Sequence, residues 1–393
     1  MRLHNVRVLS RNGLSMPRTV DLAVAEGEDR DASGLILSPG WMDLHAHLRD
    51  PGFPEKETLA SASASAAFGG FTHIVAMANT SPVTDSPDRL RTLIARADSL
   101  PVRVSFVGAV TEGLEGRVLT DAIALKVAGA VALSDDGRHA MDLATLRSAL
   151  DAAADADLPI LLHAQKEDMG SVPESEVGAI SEALDVLKDV ARARVHIQHV
   201  STRPSIDLIR AAKRQGLAVT AEVTPHHLAL TRADVAGLGP FGNVNPPLRS
   251  DDDREAVRNA LAEGVVDVIA TDHAPHDVVA KAAGANGFHG FETALSVLLG
   301  LGIDHRTLYR ACVERPREII KTEDNSLPLV GRVGEGVAED WILIDPDLEW
   351  TVDPSSFRSR GKNTPFAGRR LRGRVVMTVC RGQVLFERMV QRV

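Results

Sequence analysis

The feature that most constrains this 393-residue chain is an alternation of eight short apolar runs with helix-like stretches, sustained over more than half its length. The runs are Trp41–Leu44, Phe71–Met77, Val102–Val110, Ala130–Leu133, Pro159–Leu162, Val195–Val200, Ala218–Val223 and Val265–Ala270. Helical patterning falls between them at Thr58–Phe68, Pro87–Asp98, Asp142–Ala154, Pro204–Gln215 and Arg254–Ala262. Eight strands with intervening helices is the count of a (β/α)8 TIM-type barrel, an α/β fold whose active site sits at the C-terminal strand ends. An open doubly wound sheet would alternate similarly, but no GxGxxG follows the first strand.

The flanks break this rhythm. Leu3–Leu9, Thr19–Ala25 and Gly34–Leu37 read as short strands, as do Trp341–Ile344, Arg374–Cys380 and Gln383–Glu387 after a helical region at Phe291–Ile320. Neither flank is long enough to bury a core alone. Residues 1–38 and 331–393 are therefore expected to form one small composite β-domain beside a barrel spanning 39–330. The Ala/Ser run Ala60–Ala67 reads as a close-packed helix.

Composition removes several function classes. The chain has 44 Lys+Arg against 53 Asp+Glu, a net charge of −9, which argues against nucleic acid as a partner. Apolar stretches such as Val127–Leu133 are about strand length, well short of the ~18 residues of a membrane span. No apolar signal core is evident at the N-terminus. Cys312 and Cys380 cannot make a disulfide framework. A soluble cytoplasmic protein is expected.

Polar residues then fall at ordered places. The first barrel strand ends in His45-Ala46-His47, and residues two apart on a strand face the same way, so both imidazoles can converge on one ion. Strand four runs into Asp135-Asp136, strand five into His163, strand six into His199 and strand eight into Asp272. Each alone has an ordinary reading, as a turn acid or a hydrogen-bonded histidine. Together they put imidazoles and carboxylates from five strands at one rim. Six ligands suit two divalent ions sharing a bridging carboxylate, zinc by preference, and metal-assisted hydrolysis of an amide or ester. Arg49, Asn79, Asn245 and His276 lie within reach of that rim and suit an anionic substrate bearing an amide. His73, His139, His196, His226, His227, His273 and His289 are read as structural, with supporting roles behind ligands open to them.

The segments GWMDLHAHLRDPG, FTHIVAMANTSPVTD, ALSDDGR, QHVSTRPS, TAEVTPHHLALT, NVNPPLRS and ATDHAPH, with NTPF at Asn363–Phe366, resemble bacterial dihydroorotases of the first type, in the amidohydrolase superfamily. The resemblance implies a distorted barrel with a composite β-domain, and reversible cyclisation of N-carbamoyl-L-aspartate to L-dihydroorotate in pyrimidine synthesis. It implies two zinc ions (one at the least) on His45, His47, Asp136, His163, His199 and Asp272, with Asp136 where related hydrolases place a carboxylated lysine. The nearest lysine, Lys126, precedes strand four. It further implies Asp272 as general acid/base and Arg49, Asn79, Asn245 and His276 as substrate contacts. Asn286 and Gly287 fall where the family offers backbone groups to substrate, in a loop (277–290) that departs from the usual pattern. A homodimer and a complex with aspartate transcarbamoylase are the assemblies that go with it. Two other readings stand beside it. One is a hydantoinase- or allantoinase-like cyclic-amide hydrolase, which would carry the bridging lysine. The other is an inactive scaffold for aspartate transcarbamoylase, which would have lost ligands.

Overall fold

The computed structural model describes residues 1–22, 24, 28–138, 141–321 and 339–388. Five N-terminal strands come first: β1 (Arg2–Ser10), β2 (Gly13–Leu14), β3 (Arg18–Asp21), β4 (Asp29–Asp31) and β5 (Ile36–Pro39). Eight parallel strands follow: β6 (Trp41–Ala46), β7 (Phe71–Ala76), β8 (Arg103–Gly108), β9 (Ala130–Leu133), β10 (Ile160–Leu162), β11 (Val195–Ile197), β12 (Val219–Val223) and β13 (Val268–Ile269). They pair in chain order, each with the next. Beyond β13 the chain returns to β6 through a bridge between His273 and Ala46, and the His47 amide donates to the His273 carbonyl at 2.8 Å. Asp43, buried in β6, adds to this seam by accepting from the Thr271 amide and hydroxyl. The sheet is thereby a nearly closed barrel.

Inward-facing Met42, Leu44, Val75, Met77, Val107 and Leu161 fill the barrel, with Ile319 and Ile320 packed against them. The helix Arg315–Ile320 that carries this pair reaches the carbonyl of Gly40, just before β6, through Arg317, so it lies at the N-terminal end of the strands. The opposite end is left to polar residues. The Ala/Ser helix, Leu59–Gly69, starts at a Thr58–Ser61 capping box and lies against the helix Phe291–Gly300. The approach is close: a Cβ on Gly69 would come within 2.3 Å of the Phe291 carbonyl oxygen, so only glycine fits there.

Three further strands follow the helices: β14 (Trp341–Thr351), β15 (Arg370–Cys380) and β16 (Gln383–Glu387). β5 pairs antiparallel with β14 and parallel with β1, so both termini contribute to one mixed sheet. Leu3, Val6, Leu37, Trp341, Leu343 and Val379 form its own core. The limit expected at 331 lies outside the described residues, as do Ala23 and Ala25 from Thr19–Ala25.

Several expected elements change. Val195–Val200 shortens to three residues of ladder, the chain beyond them passing through His199 in the left-handed region (φ 31°), and Val265–Ala270 shortens to two, because the amides of Val265 and Val266 still bond Ala260 of the preceding helix. The expected strand Ala130–Leu133 is β9 unchanged, entered from Gly129 (φ 109°) at the end of helix Ala122–Ala128. That helix and Pro173–Leu187 were not foreseen. The region Phe291–Ile320 is several helical pieces, with a π-turn at Arg310–Glu314. Among the described residues no helix is long and apolar enough to cross a membrane.

Candidate active site

At the C-terminal rim each of three histidines is oriented by a partner behind it. His45 Nδ1 lies 2.6 Å from Glu222 Oε1, His47 Nδ1 3.0 Å from Asn79 Oδ1, and His163 Nε2 3.0 Å from Gln165 Oε1. In a neutral ring the nitrogen facing an oxygen acceptor carries the proton, which leaves the other nitrogen its lone pair. Those other nitrogens converge on Asp136: His45 Nε2 at 3.4 Å, His47 Nε2 at 3.3 Å and His163 Nδ1 at 3.5 Å. His199 Nε2 lies 3.9 Å from Asp136 and 3.0 Å from His163 Nδ1. Two three-residue groups result, His45/His47/Asp136 and Asp136/His163/His199, and in each the donor atoms lie within 4.8 Å of one another. Asp136 belongs to both.

Asp135, the neighbouring acid, turns away. It accepts from the amides of Val110 (2.7 Å) and Thr111 (3.0 Å) and from the Thr111 hydroxyl, tying together the segments that follow β8 and β9. Asp272 approaches from the barrel seam, 3.1 Å from His47 Nε2 and 3.6 Å from His45 Nε2. Burial opposes the charges of Asp136 and Asp272, yet the surrounding imidazoles hold both carboxyls below the usual range. Burial likewise opposes charge on His45, but Asp136, Glu222 and Asp272 raise it well above an ordinary histidine. His199, buried and beside His163 and His45, is pulled down to about 3 and stays neutral. The cluster therefore calls for positive charge at its centre, and Asp136 Oδ1 is buried with no hydrogen-bond partner. A divalent cation fits both observations.

A cavity of about 230 Å³ opens over this cluster. Its wall brings together all the residues read as substrate contacts: Arg49, Asn79, Asn245, His276, Asn286 and Gly287. Five of the six ligand candidates line it as well, and His45 lies fully buried behind them. Two more cavity residues carry buried polar atoms without a partner, Arg49 Nε and His276 Nδ1. Asn245 is already engaged: its amide donates to Gln165 (2.6 Å) and its oxygen accepts from Ser171 (2.9 Å). Gly287 lines the cavity with its backbone groups occupied by Asn243, Lys281 and Asn363, and the Asn286 carbonyl accepts from His276 Nε2 at 2.8 Å.

Several participants were not read from the sequence. Glu222 binds His45 and also His196 (3.0 Å), giving that histidine a place behind the rim. Its signal was an acid inside an otherwise apolar strand. Gln165 orients His163. Asn363 accepts from the His276 amide at 2.9 Å and donates to Gly287, which gives the NTPF segment a task. Lys281 is fully buried. Lys126 is exposed on its helix, away from the cluster. His139 lies outside the described residues.

A family model described as "Amidohydrolase family" matches residues 36–385. The chain belongs to the amidohydrolase family. Among its amidohydrolase relatives, the dihydroorotase of Anaeromyxobacter dehalogenans (strain 2CP-C) is 43% identical over 387 residues, covering 91% of this chain and 88% of the relative. The dihydroorotase of Syntrophotalea carbinolica is 39% identical, with 93% and 91% covered. That of Clostridium acetobutylicum is 37% identical, with 91% and 89% covered. The L-hydantoinase (dihydropyrimidinase) from Arthrobacter aurescens superposes with a TM-score of 0.87 at 26% identity, over 100% of this chain and 97% of that one. The dihydropyrimidinase from Brevibacillus agri NCHU1002 shares the amidohydrolase fold at a TM-score of 0.83 and 20% identity, over 98% and 95%.

Proposed function

We infer that this amidohydrolase is a dihydroorotase, interconverting L-dihydroorotate and N-carbamoyl-L-aspartate. The observation that carries the reading is Asp136 at the shared corner of two histidine groups, under a cavity that also presents Arg49. The hydantoinase-like alternative would set a lysine at that corner. The three dihydroorotase relatives, each similar over about nine-tenths of the chain, support the same choice.

Zinc ions, two per chain, would be held by His45, His47, Asp136, His163, His199 and Asp272. When bound, such ions activate water near neutral pH and polarise a carbonyl. Arg49, with His276 beside it at 3.4 Å, would take the substrate carboxylate, and Asn79 and Asn245 would orient the ring amide. In ring opening, water adds to the ring carbonyl carbon and the bond from that carbon to nitrogen breaks. Asp272 takes the proton that the water gives up and delivers it to the departing nitrogen. Ring closure runs the same transfers backwards. The cytoplasm is the compartment that goes with this reading, favoured by two buried free thiols, Cys312 and Cys380. A homodimer and a complex with aspartate transcarbamoylase are the assemblies to look for by co-purification.

The test is turnover of L-dihydroorotate by the purified protein, beside hydantoin and allantoin, before and after metal stripping. Dihydroorotate opening that disappears with the metal and returns with zinc is expected. Turnover of hydantoin in preference would move the chain to the other branch, and full activity after stripping would end the metallohydrolase assignment.

A further inference from the structure

Lys281 presents an unusual balance. Its side chain is fully buried, and its three ammonium protons are matched by three backbone carbonyls: Asn243 at 2.5 Å, Ala285 at 2.9 Å and Gly287 at 2.9 Å. The ammonium also stands 5.0 Å over the Phe288 ring. No carboxylate pairs with it among the described residues, and burial alone pulls it down to about 8. An unpaired buried cation is costly, and an apolar side chain would fill the space at less cost.

The position of the three carbonyls accounts for the charge. Asn243 stands two residues before Asn245, and Ala285 and Gly287 flank Asn286; the two segments come from different loops and both line the cavity. The short helix Val278–Ala282, capped by Asp277, aims Lys281 inward while Val278 and Val279 stay exposed. The Gly287 amide donates to the same Asn243 carbonyl, so one oxygen ties both loops to the lysine. Backbone carbonyls neutralise no formal charge, so the wall they form stays positive. Arg49 lies on the same cavity.

We propose that Lys281 is a positioning residue for substrate binding: it clamps Asn243–Asn245 to Ala285–Gly287 and gives that wall a net positive charge that draws in the substrate carboxylate. The inference rests on the dihydroorotase reading for its substrate, and the clamp itself can be measured without one.

The experiment compares Lys281→Met and Lys281→Arg with wild type as metal-loaded holoenzymes. Metal content, steady-state kinetics with L-dihydroorotate and amide hydrogen exchange are measured on each. Lys281→Met is expected to raise KM by about tenfold or more, the scale of a lost charged hydrogen bond, with kcat within about threefold of wild type. Metal content should not change. Exchange should quicken in both 243–245 and 284–288. Lys281→Arg keeps the charge but cannot seat a planar fork among three carbonyls, so its KM should fall between the other two. A Lys281→Met enzyme with unchanged KM, or with exchange quickened in helix 278–282 alone, overturns the proposal. So does a fall in kcat at constant KM. Should Lys281→Met not accumulate as folded protein, Lys281→Arg with wild-type KM and exchange overturns it equally. A wild-type enzyme that leaves dihydroorotate untouched sinks the functional reading, and the exchange measurement still decides on the clamp.

Discussion

Asp135 and Asp136 leave one strand in opposite directions and meet opposite surroundings. Asp136 faces imidazoles, and its Oδ1 is buried without a hydrogen bond. Asp135 faces three hydrogen-bond donors on Val110 and Thr111, just past the end of β8. Their removal should separate cleanly. Asp136→Ala is expected to lose metal and nearly all turnover while still folding. Asp135→Ala should keep metal and lose stability by ~1–3 kcal/mol, because buried donors are left unpaired. Asp272→Asn keeps a ligand oxygen but cannot ferry a proton, so it should retain metal and lose ~10²–10⁴ in rate. Metal analysis, denaturant melts and kinetics on the three variants check the set; zinc retained in Asp136→Ala would shift the bridging role elsewhere. The rim acids and histidines were legible in sequence because each sits where a strand stops. Lys281 and Glu222 were not, since their partners come from loops and strands distant in sequence, and nothing near them along the chain announces those contacts.

Elements carry a different kind of information. The eight barrel runs were legible because a buried parallel strand is a short apolar run. Their ends were not, because His199 and Asp272 need backbone that leaves the ladder, and apolar patterning continues through it. At the packed pair of helices Leu59–Gly69 and Phe291–Gly300, Glu292 is buried and accepts from Ser65 (2.9 Å) and the amides of Arg358 and Ser359 through one oxygen, while the other has no partner. Burial lifts its carboxyl from 4.5 to about 7. A raised folded value means the stabilising protonated form is complete below about 4.5, and its contribution is lost as pH rises through about 7. Glu292→Gln is neutral at every pH and should gain on wild type by ~1–3 kcal/mol between pH 5 and pH 8. Thermal melts at the two pH values decide; parallel shifts of both proteins would mean that Glu292 does not titrate in this window.

For the whole molecule, the pairing of β5 with β14 joins the two ends of the chain, and Trp341 is its largest buried side chain. Trp341→Ala should cost ~3–5 kcal/mol in denaturant melts, while folded enzyme keeps its kcat, since the tryptophan belongs to the terminal sheet. A kcat that falls in step with stability would show that this sheet reaches the active site. The same pairing bears on how the protein is made. β5 leaves the ribosome about three hundred residues ahead of β14, the strand it must lie beside. During synthesis the barrel strands can zip up as they emerge, each beside the one before. The N-terminal strands must meanwhile wait with an open edge. That edge belongs to β5, whose four residues Ile36–Pro39 are uncharged and buried in the folded sheet, so nothing on the strand itself discourages it from pairing with another nascent chain. Synthesis of β14 is thus the step that seals the first strands in place, so a chain cut short before it would be left with that edge unsealed.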